Sequence, residues 1–168
     1  MKRMTPIRAT ALLAGLLAFA ACRKEADTSL SYDQQLRRGW LTDTTWTFEW
    51  AALDLDRDGD ADQYIQPGTM ADCVFDNAYT FLPNGSGDAY DSTHRCDTNV
   101  AVHAPFAWSL ADNDQALTVT GTKLFGIGGR LRINYLDNRV LTVSRDTLVP
   151  DPLVAQPITA SLIISMKH

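Results

Sequence analysis

Nine consecutive residues concentrate most of the chemistry this sequence can offer. Asp54-Leu55-Asp56-Arg57-Asp58-Gly59-Asp60-Ala61-Asp62 holds five carboxylates and one glycine. Counted from Asp54, acidic side chains fall at positions 1, 3, 5 and 9, with glycine at 6. That is the pattern of the first nine positions of a calcium loop, where hard oxygen ligands converge and glycine permits the sharp turn. The expected shell is side-chain oxygens from Asp54, Asp56, Asp58 and Asp62, completed by the Asp60 backbone carbonyl and water. The twelfth position is Ile65, so the bidentate acid of a full EF-hand is missing, and Asp72 or Asp76 would have to substitute from a distance. No helix pair flanks the loop, which excludes an EF-hand. Carboxylates this dense repel one another unless a cation or water screens them, so a solvated acidic turn is the competing reading.

The other reactive side chains are sparse. Cys73, His94, Cys96 and His103 supply zinc-ligand types, but their spacing fits no common zinc site. An enzyme would have to be built from Asp91, Ser92, His94 and His103, and neither a nucleophile elbow nor a metalloprotease helix is present. The sequence therefore predicts no catalytic activity. Gly126-Ile127-Gly128-Gly129 lacks the Gly-Lys-Ser/Thr ending of a phosphate loop and reads as a bend or bulge.

The amino terminus sets the compartment. Lys2, Arg3 and Arg8 precede an apolar run from Ala9 to Ala21 that is too short to span a bilayer, the pattern of a secretory signal. Phe19-Ala20-Ala21-Cys22 resembles the lipobox of bacterial lipoproteins, which implies that residues 1–21 are removed and that Cys22 is acylated. Of three cysteines, Cys73 and Cys96 then remain as an even pair, and an oxidising compartment favours a disulfide between them. Residues 22–35 form the lipidated cysteine and a solvated tether. The charges that follow Cys22 also resemble surface-export signals of Bacteroidetes lipoproteins. The expected address is the outer membrane, on its periplasmic or outer face. Processing leaves 12 bases against 20 acids, a net charge of −8 with no basic stripe, which argues against a nucleic-acid partner.

The elements that must position these residues are almost all strands. Tyr32 to Trp40 predicts a short helix with Tyr32, Leu36 and Trp40 on one face and Gly39 as its stop. Thr45-Trp46-Thr47-Phe48-Glu49-Trp50 alternates polar and aromatic residues, as a half-buried strand does. Pro83-Asn84-Gly85-Ser86-Gly87 marks one hairpin and Asp112-Asn113-Asp114 a second. Leu131, Ile133 and Tyr135 share one face of a later strand; Val140 to Arg145 and Ile158 to Met166 complete the series. About eight strands with turns at this spacing predict an all-β domain over residues 36–168, a single antiparallel up-and-down barrel with a short N-terminal helix.

A set of local motifs then carries a family resemblance. Trp46, the acidic loop, Cys73-Val74-Phe75-Asp76-Asn77, Thr80-Phe81, Asn84-Gly85, Cys96, Trp108-Ser109-Leu110 and Leu131 to Tyr135 occur in the order and spacing of lipocalin-like lipoproteins of Bacteroidetes. Arg57 stands where that loop more often has glycine. The resemblance implies a lipid-anchored barrel and leaves the biochemistry open, because fold does not fix function. Lipocalins hold small hydrophobic molecules in the barrel mouth, and Trp46, Phe48, Trp50, Phe81, Trp108 and Tyr135 are the candidates for lining such a cavity. Such residues are more often simply core. Two readings follow: an envelope protein that binds a small hydrophobic ligand, braced by calcium and a disulfide, or a filled barrel that meets another envelope protein or glycan.

Overall fold

The chain closes on itself because its first and last long strands pair with each other. The computed structural model describes residues 30–66, 68–69, 71–99, 101–150 and 156–168; the signal segment and Cys22 lie outside them. Helix α1 (Tyr32–Thr42) leads into β1 (Thr45–Asp54), the short β2 (Gln63–Tyr64) and a single helical turn, α2 (Asp72–Phe75). Then come β3 (Ala78–Phe81), β4 (Ser86–Tyr90), β5 (His103–Ala111), β6 (Ala116–Leu124), β7 (Ile127–Leu136), β8 (Val140–Val149) and β9 (Ile158–Lys167). Each strand from β3 onward is antiparallel to the next, and β9 returns to β1 from Thr47↔Lys167 to Asp54↔Ser161. The result is a closed eight-stranded barrel, as the turn spacing predicted. β2 is an addition on the β1 edge beyond the point where β3 leaves it.

Alternation explains the core. Trp46, Tyr79, Phe81, Phe106, Leu117, Val119, Leu131, Ile133, Leu141, Val143, Ile164 and Met166 point inward and are buried. The alternation of β7 fails at one place. A bulge between Ile133 and Tyr135 shifts the register, so Leu136 turns inward and Tyr135 outward.

α1 covers the barrel end where β1 begins. Ser31 caps it, accepting from the Gln34 amide, while the Gln34 side chain accepts from the Ser31 amide. Gly39 does not stop the helix, which continues to the Asp43 cap, and Leu41, not Tyr32 or Leu36, is its buried residue. Period alone could not place that face, because the docking contacts come from distant chain. The Arg38 guanidinium pairs with buried Asp114 at 3.1 Å, and Arg37 donates to the Asp114 carbonyl at 3.1 Å. Asp114 reaches them from a β5–β6 turn in which Asp112, Asn113 and Asp114 are all left-handed, at φ 54°, 54° and 62°. Asp and Asn tolerate that region better than other residues carrying a side chain.

The β3–β4 hairpin is fixed by Trp108, whose indole donates to the carbonyls of Leu82 and Ser86 at 3.1 and 2.8 Å. Beside it Gly87 lies flat under the Phe106 ring, where an added Cβ would sit 2.2 Å from the ring. Phe106 cannot step aside, because Tyr79 and Phe81 hold it by edge contacts at 6.5 and 5.3 Å between ring centroids. Gly87→Ala is therefore expected to destabilise by about 1–3 kcal/mol, the range for overpacking a filled core. Urea unfolding checks it, and a change below about 0.5 kcal/mol would mean that the ring moves freely.

Candidate functional site

The acidic stretch is the β1–β2 hairpin loop, and its backbone geometry comes from its own carboxylates. Asp54, the last residue of β1, is fully buried, and its two oxygens accept from the amides of Arg57 (2.6 Å) and Gly59 (3.1 Å). Asp56 accepts from the Asp58 amide at 3.2 Å, and Asp58 from the Asp60 amide at 2.9 Å. These bonds wind the loop around a centre. Carboxylate oxygens of Asp54, Asp56 and Asp58 lie within 4.8 Å of one another, a group able to hold a metal ion. Arg57 and Gly59 sit at φ 64° and 105°, in the left-handed region. The first carries a full side chain in a conformation that such residues adopt rarely. Its guanidinium turns away from the carboxylates, 3.7 Å from Asp146.

The remaining predicted ligands take other places. Asp62 closes the hairpin: its amide donates to the Leu53 carbonyl at 3.0 Å, and its carboxylate accepts from the Leu55 amide at 2.7 Å. Asp60 contributes its amide to Asp58 and lies outside the converging trio. Asp76, a candidate remote ligand, is engaged by the His94 amide at 2.7 Å and lies outside the trio, as does Asp72. The Asp58 amide lowers the pKa of the Asp56 carboxyl, but desolvation and the charges of Asp58, Asp62 and Asp54 outweigh it, so the net shift is upward. The loop thus holds its carboxylates closer than their charges favour.

Cys73 and Cys96 are joined in a disulfide, 23 residues apart in sequence. The zinc alternative falls with it, because two sulfurs bonded to each other leave no thiolate to ligate. The bridge ties α2 to the loop between β4 and β5. His94 and His103 serve different carboxylates: His94 lies 3.4 Å from Asp76, and His103 Nδ1 is 2.6 Å from Asp88. The Ser92 hydroxyl is 3.5 Å from that of Thr93. The four residues from which an enzyme would be built do not form a nucleophile–base pair.

The six aromatic candidates separate. Trp46 is fully buried and donates to the Leu41 carbonyl at 3.0 Å, holding α1. Phe81 is packed edge-on between Phe106 and Trp108 at 5.3 and 5.7 Å. These three, Trp46, Phe81 and Trp108, are core, not cavity lining. Tyr135 is 53 % exposed and donates to Asp137 at 2.9 Å, so it lines nothing inside. Asp137 in turn accepts from the Arg139 and Val140 amides, which hold its carboxyl below the usual range.

The other two candidates, Phe48 and Trp50, border a concavity, and it lies in the barrel wall. β1 pairs with β3 through Thr45–Thr47 and with β2 through Ala52–Leu53. Between these, the Ile65 amide donates to the Ala51 carbonyl at 2.9 Å. A slot of about 330 Å³ occupies this gap, lined by Phe48, Glu49, Trp50, Tyr64, Ile65, Gln66 and Phe75. Tyr64 and Phe75 were not foreseen. Their neighbours in sequence show no period, and only the pairing of β2 and the disulfide-held α2 bring them to β1.

No family model matches this sequence, and no curated protein matches it.

Proposed function

We infer that this protein is a lipid-anchored interaction module of the bacterial cell envelope, a filled barrel whose β1–β2 loop is braced by a structural calcium ion. The observation that carries this reading is the placement of Trp46, Phe81 and Trp108: the two indoles donate to backbone carbonyls, and Phe81 packs edge-on against Trp108. The lipobox-like Phe19-Ala20-Ala21-Cys22 supports the anchor, and the motif resemblance to lipocalin-like lipoproteins supports the envelope address. Two or more acyl chains hold a protein stably at a membrane. Cys22→Ala should move the protein from the membrane fraction to the soluble fraction; retention in the membrane would remove the anchor.

The donor set fits calcium. Asp54, Asp56 and Asp58 supply converging hard oxygens, and Asp62 keeps one oxygen free of the Leu55 bond. Bound there, the ion would neutralise the repulsion that raises Asp56 and pin the hairpin loop to the end of β1. At about a hundredfold excess of calcium over its Kd, linkage adds about 2.7 kcal/mol of stability. Asp56→Ala with Asp58→Ala should thus lower the melting temperature in calcium and leave it nearly unchanged in chelator, by calorimetry. Equal losses in both conditions would sink the site.

The sign with pH follows from the direction of the Asp56 shift. A carboxyl raised on folding favours the native state while protonated, below its unfolded pKa, and loses that contribution as pH rises through the folded value. Calcium requires the opposite protonation state. Its stabilisation should be largest at neutral pH and fade as pH falls into the carboxylate range.

Native mass spectrometry of protein from an oxidising compartment, purified without chelator, tests the whole reading. Bound calcium with the two-hydrogen deficit of the disulfide is the expected result. A co-purified lipid released on denaturation would make the protein a hollow carrier instead.

A further inference from the structure

The wall slot combines three features. First, four aromatic residues line it. Phe48 and Phe75 meet at 4.5 Å between centroids, tilted by 60°, and Trp50 and Tyr64 meet edge-on at 5.4 Å. Second, Glu49 stands on its wall with its carboxylate anchored, since Oε2 accepts from the Ser165 hydroxyl at 3.0 Å. Ser165 is fully buried, with its own oxygen 3.3 Å from that of Thr142, so the anchor is rooted in the barrel wall while the Glu49 side chain itself is exposed. Third, no cation answers Glu49: among the described residues, its ion-pairing distance contains no lysine, arginine or histidine.

We propose that this slot binds a small organic cation, an alkylammonium or quaternary ammonium group, between Phe48, Trp50, Tyr64 and Phe75 with Glu49 as its counter-charge. Ring faces attract a cation through their quadrupole, most strongly at Trp, and the exposed Tyr64 and Glu49 leave the slot open for one to enter. A volume of about 330 Å³ suits a molecule of that size. An anion is rejected by Glu49. A neutral apolar ligand would cover the anchored carboxylate without pairing it, which costs free energy. The site is separate from the acidic loop and does not depend on calcium, on the anchor or on a hollow interior.

Choline chloride and its neutral isostere 3,3-dimethylbutan-1-ol are the probes, titrated into the full chain with its disulfide intact. The readout is the indole N–H resonance of Trp50 in a nitrogen-15 correlation spectrum, with the buried indole of Trp46 as internal control. Choline should shift the Trp50 signal saturably and leave Trp46 in place, and the isostere should bind at least tenfold more weakly. Glu49→Gln keeps an acceptor for Ser165 and should weaken choline about tenfold, with no change for the isostere. Equal binding of the two probes overturns cation recognition. Absence of a Trp50 shift with choline at millimolar concentration overturns the site. The probe comparison uses unaltered protein, so it stands even if the variant folds poorly.

Discussion

Phe125→Ala is expected to cost about 3–5 kcal/mol, the range for deleting a buried ring. Phe125 occupies the first position of the tight β6–β7 turn, where φ is 46°, followed by Gly126 at 97°. A large side chain is unusual in that conformation. This one is fully buried because it folds back into the barrel, where it meets Tyr79 at 4.9 Å and Phe48 at 5.4 Å between centroids. The Tyr79 hydroxyl fixes the turn from inside, donating to the Lys123 carbonyl at 2.8 Å and accepting from the Phe125 amide at 3.2 Å. Burial raises the pKa of that phenol, so it stays protonated well past neutral pH and keeps its donor. Alanine would leave a cavity beside the two rings and keep the left-handed strain. Glycine leaves the same cavity without the strain, so Phe125→Gly should cost about 1 kcal/mol less than Phe125→Ala. Denaturant unfolding measures both. A loss under about 1 kcal/mol for alanine would show that this end of the barrel is not packed through Phe125. With total stabilities of about 5–15 kcal/mol for ordinary domains, the expected loss removes a large share.

Removal of the disulfide is expected to have the next largest effect. Cross-linking residues 23 apart lowers the entropy of the unfolded chain, worth about 3 kcal/mol on the loop-closure model before native strain. Cys73→Ser with Cys96→Ser should therefore lower the unfolding free energy by about 3 kcal/mol, and reduction of the unaltered protein should match it. The bridge also has a local consequence. α2 is a single turn, too short to persist without tertiary support, and Phe75, at its end, forms one wall of the aromatic slot. Hydrogen exchange in the double variant should quicken first in residues 71–78 and in the loop around His94, ahead of the strands. Uniform acceleration across the whole barrel would mean that the bridge stabilises only through the unfolded state.

These two effects rest on different parts of the same barrel end. Phe125 closes it from within, and the disulfide holds the segment that covers its side. The acidic loop lies at that end too, after β1, whereas α1 and the Arg38–Asp114 pair hold the other. Stability and candidate binding features are thus concentrated around one rim.

What the sequence determined by itself is what short-range physics encodes. Alternation over Thr45–Trp50 and Asn-Gly or Asp-Asn-Asp turns require only neighbouring residues, so the strands and hairpins, and with them an eight-stranded barrel, were legible. The ligand spacing of Asp54, Asp56 and Asp58 is local as well, and the loop folds those three together through bonds spanning two to five residues. Cysteine parity was enough to pair Cys73 with Cys96 once Cys22 was set aside. The tertiary structure decided what depends on distant partners. One bulge turned Tyr135 to solvent. Trp46, Phe81 and Trp108 became core because nearby strands of the sheet, and α1, supplied acceptors and ring edges for them. Tyr64 and Phe75 joined Phe48 and Trp50 only through the β2 pairing and the disulfide. Pattern specifies which residues share a face; closure of the barrel determines which faces meet, and a binding slot is a property of that meeting.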